Sequence, residues 1–300
     1  MKVLLIGGFG FLGKRFIRKF SSIHEIIVYS RHEDVSSVHQ YFRDNVLIEE
    51  GTVEEKKVFD IITKHNPKVV IHLAALTGLK KCNDDPELAF KINVYGTYNV
   101  VRACLKARCK MIFISSREVY GDTMGKESAE TDLLNPNNIY GLTKMLGEDI
   151  VKNGGRCGLD YTILRPTNIY GPEGDKYGAQ IIIKNAIKLH KVQILGGNQK
   201  LNYVYVDDVV ELINQVLTDR RSSKQIFNIG SNDTLTIEQF VSKVINTISE
   251  KIEVEYLPMR QNETLNFVPS LKKLKNILEF SARYSISEGI EETKKWYLSN

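Results

Sequence analysis

Tyr140 and Lys144 stand four residues apart in "NNIYGLTKMLGED". In a helix that spacing puts both side chains on one face. A lysine ammonium beside a tyrosine favours the phenolate, so the phenol can exchange a proton near neutral pH. Such a pair is common by coincidence, and its setting is what gives it meaning. In "MIFISSREVYG", Ser115 and Ser116 lie just past an apolar run that reads as a strand. Ligands of open α/β sheets sit at the carboxyl ends of strands. A serine hydroxyl there can donate to a substrate oxygen while the tyrosine moves the proton. Ser116, Tyr140 and Lys144 thus form a constellation suited to hydride transfer.

A second constellation opens the chain. "KVLLIGGFGFLGKRFIRKF" carries an apolar run from Val3 to Ile6 and glycines at 7, 10 and 13. A stretch of helical period follows (Phe11, Leu12, Phe16, Ile17, Phe20). Glycines at a strand-to-helix junction serve a tight turn, a close approach of backbone to a pyrophosphate, and close helix–strand packing. The helix N-terminus then offers free N–H groups to phosphates. A chain with this start is expected to carry an acid at the end of its second strand, where it accepts from the adenosine ribose and repels a 2′-phosphate. After Ile26, Ile27 and Val28, however, come Tyr29, Ser30 and Arg31. Ser30 can donate to a phosphate oxygen, and Arg31 can fork onto two. NADP(H) is therefore favoured. NAD(H) is the competitor, with Glu33 or Asp34 folding back to the ribose.

The elements that must hold these groups recur along the chain. Apolar runs at 3–6, 26–29, 46–49, 68–75, 110–116, 161–166, 203–208 and 226–230 alternate with helical stretches. Those stretches are 11–20, 55–65, 86–107, 139–153, 178–190, 207–218, 236–250 and 287–298. Strands alternating with helices predict an α/β fold, a Rossmann doubly wound parallel sheet. After residue 167 the alternation loosens, and "NIYGPEGDKYG" is rich in turn residues. The expected division is a dinucleotide-binding domain over 1–166, rejoined by about 201–230 as "YVYVDD" returns to the main sheet. A smaller interleaved C-terminal substrate-binding lobe is expected from about 167–200 and 231–300.

The chain has 300 residues and a formal net charge of +5 spread along its length. The length is ample for a large core. The densest basic cluster, "LKKLKN" at 271–276, reads as a solvated helix face, and nothing argues for nucleic acid. No apolar stretch approaches the ~20 residues of a membrane span. The first strand begins at Lys2–Val3, which leaves no room for a signal peptide. Cys82, Cys104, Cys109 and Cys157 show no paired spacing and no nearby histidine cluster. Neither a metal site nor a disulfide framework is expected, and a reducing cytoplasm fits.

With these residues in view, the chain resembles the extended short-chain dehydrogenase/reductases of the nucleotide-sugar epimerase/dehydratase family. The resemblance runs nearly end to end. It rests on GGFGFLG (7–13), VIHLAA (70–75), NVYGTYNV (93–100), SSREVYG (115–121), YGLTK (140–144), LRPTNIYGP (164–172), YVYVDDVV (203–210) and FNIGS (227–231). It implies that Gly7, Gly10 and Gly13, with Phe11 and Leu12, hold the cofactor pyrophosphate. Leu73, Ala74 and Ala75 would line the cofactor cleft, and Asn93 would buttress the site. Lys144 would bind the nicotinamide ribose and tune Tyr140, the acid/base. Ser116 would sit beside the reacting sugar carbon, with Glu118 nearby. Asn168 and Arg260 would contact the diphosphate of a nucleotide-diphosphate sugar. Relatives commonly dimerise through two long helices per subunit, here about 86–107 and 139–153, so a homodimer is expected.

Three departures from the family pattern matter. Its 4,6-dehydratases carry an Asp–Glu pair after the serine or threonine, as acid and base for water elimination; here Arg117 and Glu118 follow. Thr52 stands where an aspartate often reads the adenine amine. Leu201, beside Lys200, stands where an arginine often precedes the strand's aromatic. An arginine stays protonated and does not readily donate that proton. The favoured activity is therefore an NAD(P)-dependent nucleotide-sugar epimerase acting at C4. The alternative is an NADPH-dependent 4-keto reductase; a 4,6-dehydratase and a non-catalytic nucleotide-binding protein rank lower.

Overall fold

A computed structural model describes residues 1–36, 38, 40–174, 178–248, 251–259 and 263–299. Seven strands form one sheet: β1 (Lys2–Ile6), β2 (Glu25–Ser30), β3 (Leu47–Glu50), β4 (Val69–His72), β5 (Lys110–Ile114), β6 (Tyr161–Pro166) and β7 (Gln225–Ile229). Their order is β7-β6-β5-β4-β1-β2-β3 and every pairing is parallel. Parallel strands covered on both faces read as unbroken apolar runs. In β1, Val3 to Ile6 are all fully buried.

The alternation within β1 divides the core. Val3 and Leu5 join a cluster with Phe16 and Ile17 of α1 (Phe11–Phe20), and with Val209 and Ile213 of α6 (Val206–Thr218). Leu4 and Ile6 point the other way. They meet Val58 and Ile62 of α2 (Lys57–His65), and Val100 and Cys104 of α3 (Gly96–Ala107). Helices on both faces make the sheet doubly wound, as the sequence predicts. Arg15 and Lys19 of α1 both pair with Asp207, the latter at 3.3 Å, which ties α1 to α6.

Two expectations are corrected. The stretch at 203–208 does not return to the main sheet. It is strand Lys200–Tyr205, running straight into α6, and it pairs with Asn168–Tyr170 and Thr234–Thr236 in a separate three-stranded sheet. The place beside β6 is taken by β7, with Phe227 opposite Leu164. The helix expected over 86–107 is broken in register by a π-helical turn, Phe90–Tyr95, that precedes α3. Beyond the central sheet, Lys191–Leu195 pairs with Glu253–Leu257. Helices α5 (Ala179–Leu189), α7 (Ile237–Ile248) and α8 (Ile286–Ser299) pack on one another. Among the described residues no helix is long and apolar enough to cross a membrane.

Candidate active site

The strand order reverses between β1 and β4, and a crevice opens above their carboxyl ends. Gly7 lies there with φ +78°. A Cβ on Gly7 would sit 2.7 Å from the backbone of Ala74, so the loop after β4 and the glycine turn touch through backbone alone. Leu73 is fixed by its N–H donating to the Ile6 carbonyl at 2.9 Å. Gly13 is required by packing, since a Cβ would meet the Gly8 carbonyl oxygen at 2.1 Å. Gly10 is different. Its backbone is ordinary (φ −73°), and a Cβ would meet only the Gly7 carbonyl oxygen, at 3.3 Å. It is also the N-cap of α1 and supplies no side-chain hydrogen bond. The first and third glycines are thus explained by the fold, while the second leaves room beside an uncapped helix start that carries Phe11 and Leu12. This is a fit for a dinucleotide pyrophosphate.

Ser30 ends β2, is buried, and accepts from the Phe9 N–H at 3.5 Å. Arg31 is over half exposed and forks onto Asp34 through Nε and Nη2, at 3.1 and 3.2 Å. Asp34, read as a competitor for the ribose, is therefore engaged by the arginine. Thr52 offers its carbonyl to the Tyr29 hydroxyl at 3.0 Å. Leu201 is buried in the core and Lys200 is exposed.

The proton-handling groups meet above β4 and β5. α4 (Ile139–Arg156) carries Tyr140 and Lys144 in its first two turns. Tyr140 faces Ser116, whose hydroxyl oxygen accepts the Glu118 N–H at 3.2 Å. Burial, and then the Glu118 charge, raise the phenol well above its usual value; Ser116 and Arg117 act the other way. The favourable effect expected of Lys144 is not among these influences. Lys144 is buried with its Nζ 4.4 Å from the Phe113 ring centre, and burial brings it down to about 8. Beneath it His72 is fully enclosed, bonded to Thr97 at 3.1 Å, and pushed down to about 3 by burial and Lys144. It is a neutral spacer.

Asn93 sits in the π-helical turn and clamps two elements. Its Oδ1 accepts from the Leu76 N–H at 2.7 Å, and its Nδ2 donates to the Leu76 carbonyl at 3.1 Å and the Thr143 hydroxyl at 2.9 Å. The loop of Leu73, Ala74 and Ala75 is thereby joined to the helix of Tyr140. Ser115 and Ser116 part company. Ser115 donates to Glu148 at 2.6 Å, inside a buried network where Arg165 forks onto Glu148 at 2.8 and 2.6 Å. Arg165 also donates to the Tyr120 hydroxyl, which donates to Asn228. Sequence reading did not anticipate this network, because its members are scattered and each looks like an ordinary polar residue.

Arg117 and Glu118, both buried, form a 2.8 Å ion pair. Arg117 reaches Asn168 at 3.5 Å, and its Nη1 is buried without a partner among the described residues. Asn168 donates to the Asn202 carbonyl at 2.9 Å. Arg260 lies outside the described residues. Ser116, Glu118, Tyr140, Lys144 and Asn168 are thus gathered at one end of the sheet, beside the glycine turn.

The profile of the NAD dependent epimerase/dehydratase family matches residues 3–230. The chain belongs to this family and is an NAD(P)-dependent enzyme of the epimerase/dehydratase class. It is 28% identical to the UDP-N-acetyl-alpha-D-glucosaminuronate decarboxylase of Bacillus cytotoxicus, over 99% of this chain and 97% of that one. It is 31% identical to the human dTDP-D-glucose 4,6-dehydratase, over 77% of this chain and 69% of that one. Among solved structures, the UDP-glucose 4-epimerase of Thermotoga maritima, with UDP-glucose, matches with a TM-score of 0.92 and 28% identity, covering 100% and 99% of the two chains. The Thermus thermophilus UDP-glucose 4-epimerase complex with NAD matches with a TM-score of 0.89 and 25% identity, covering 99% of each.

Proposed function

We propose that this protein is a nucleotide-sugar epimerase that oxidises C4 of a hexose, lets the keto sugar rotate, and re-reduces it from the other face. The observation that carries the reading is the Arg117–Glu118 pair. Elimination of water would need a free acid and a free base beside Ser116. Here a guanidinium holds the acid's position, and both Glu118 oxygens are bonded to protein groups. What remains is Ser116, Tyr140 and Lys144, enough for reversible oxidation of an alcohol.

The nicotinamide group, when bound, supplies the hydride acceptor and donor. Tyr140 takes the C4 hydroxyl proton as the C–H bond breaks and returns it on re-reduction, while Ser116 holds the same oxygen. Lys144 holds the nicotinamide ribose and lends positive charge. Gly7, Gly10, Phe11, Leu12 and Gly13 cradle the pyrophosphate, Leu73 to Ala75 wall the cleft, and Asn93 braces it. Asn168 and Arg260 hold the substrate diphosphate. In this reading residues 1–166, with part of 201–230, bind cofactor, and the remainder forms the substrate lobe.

NADP(H) is the assigned cofactor, with NAD(H) as competitor. No carboxylate ends β2, Ser30 stands there, and Arg31 can exchange Asp34 for a 2′-phosphate. The same preference supports the second reading, an NADPH-dependent 4-keto reductase built on the same residues. The test is incubation with UDP- and dTDP-linked hexoses and hexuronates at substoichiometric cofactor, and separately with a nucleotide-linked 4-keto hexose and stoichiometric NADPH, with chromatographic resolution of products. Interconversion of C4 epimers with no net change in reduced nicotinamide is expected. Product formation tied to NADPH consumption would make it a reductase, and loss of water from the sugar would overturn the reading.

A further inference from the structure

Glu118 has the residue type of a base but not the freedom of one. It is 6% exposed. Its Oε1 faces Arg117 Nη2 at 2.8 Å. Its Oε2 accepts from Asn138 Nδ2 at 2.9 Å and from the Thr264 hydroxyl at 3.2 Å. Asn138 is the N-cap of α4, and its Oδ1 accepts the Gly141 N–H at 2.8 Å. Gly141 in turn rests on the backbone of Glu118: a Cβ there would lie 2.3 Å from the Glu118 carbonyl oxygen. Tyr140 stands between Asn138 and Gly141, so one residue grips the chain on both sides of it. Thr264 comes from the C-terminal segment, and Asn168, which Arg117 reaches, comes from the small sheet.

We propose that Glu118 is a positioning residue for Tyr140: through Asn138 it fixes the first turn of α4, and through Thr264 it ties that turn to the C-terminal segment, with Arg117 as counter-charge. This deepens the epimerase reading and rests on Tyr140 as proton carrier. Both charges also face the phenol, Glu118 opposing its ionisation and Arg117 favouring it. Ser116 and Cys82 face it as well, and Lys144 lies one turn further along α4. The carboxylate then sets where Tyr140 sits and when it gives up its proton, without touching the sugar.

The tyrosinate ultraviolet band reads this without knowledge of the substrate. It is titrated as the difference between the protein and its Tyr140→Phe version, each saturated with NADP⁺ or NAD⁺. Glu118→Gln is expected to raise the Tyr140 ionisation constant ~tenfold, the effect of one nearby charge, and Arg117→Gln to lower it. An unmoved midpoint in Glu118→Gln, or shifts of the same sign in both variants, would overturn the proposal. So would loss of all turnover in Glu118→Gln with the midpoint unmoved, which would make Glu118 the proton acceptor. Should Glu118→Gln fail to fold, Asn138→Ser keeps a capping oxygen and loses the amide link. A lowered kcat at unchanged KM is expected of it, and a parent-like kcat would refute the link. If no C4 epimerisation is found, the epimerase reading falls while the titration still decides the role of Glu118.

Discussion

Tyr140 is held protonated by burial and by Glu118, with Ser116 acting the other way. Removing only its hydroxyl should therefore remove the proton path. Tyr140→Phe is expected to lower turnover by ~10³-fold, within the range of general acid–base effects, with cofactor affinity and melting temperature unchanged. Parent-like turnover would take Tyr140 out of the mechanism. Lys144 makes a separate prediction. Its folded pKa of about 8 lies below the ordinary 10.5, so charging it costs the native state. That cost is absent above pH 10.5, grows as the pH falls toward 8, and is complete below. It is on the order of 3 kcal/mol. Without cofactor, Lys144→Met should melt higher than the parent at pH 7, with the gap closing toward pH 10.5. A gap that stays constant across that range, or is reversed at pH 7, would contradict the burial argument.

At the scale of elements, the glycine turn separates roles that a sequence pattern merges. Gly13→Ala forces a Cβ onto the Gly8 carbonyl and should cost ~2–3 kcal/mol of stability, as overpacking does. Gly10→Ala needs only a small adjustment of the fold, so its expected effect is a cofactor dissociation constant raised at least ~tenfold, for ~1.4 kcal/mol of lost phosphate contact, at a near-parent melting temperature. Calorimetry and cofactor titration on the two variants check this, and equal losses of affinity and stability in both would deny the distinction. The central sheet was legible because each buried strand is continuously apolar and each helix keeps its period, as in Val3 to Ile6 followed by Phe11 to Phe20. Strand 200–205 was legible as a strand but not in its partners, because pairing depends on β7 arriving later in the chain. The π-helical turn was invisible for a similar reason. It carries Asn93, whose partners, Leu76 in the loop after β4 and Thr143 of α4, are distant in sequence.

For the whole molecule, the candidate site was readable where residue type and position coincide, as with Ser116, Tyr140 and Lys144. It was not readable where a side chain's role depends on distant partners. Glu118 stands where the family's dehydratases keep their base, and only the structure puts Asn138 and Thr264 on its oxygens; the Ser115–Glu148–Arg165 network left no local mark. Assembly is decided at this scale too. Phe90, Tyr95 and Tyr98 are exposed and share one apolar surface with Val94 and Ile150 of α4. We propose that this face, on the two helices expected to pair, forms a homodimer. Tyr95→Glu should sediment as a monomer where the parent is a dimer, and a monomeric parent would remove the proposal. The reaction itself is tested most directly with a UDP-hexose deuterated at C4 and a trace of unlabelled cofactor. A redox-neutral epimerase returns the same hydride to the same carbon, so the inverted product should keep its deuterium at C4. Product without deuterium at C4, or label accumulating in the nicotinamide pool, would contradict the epimerase assignment.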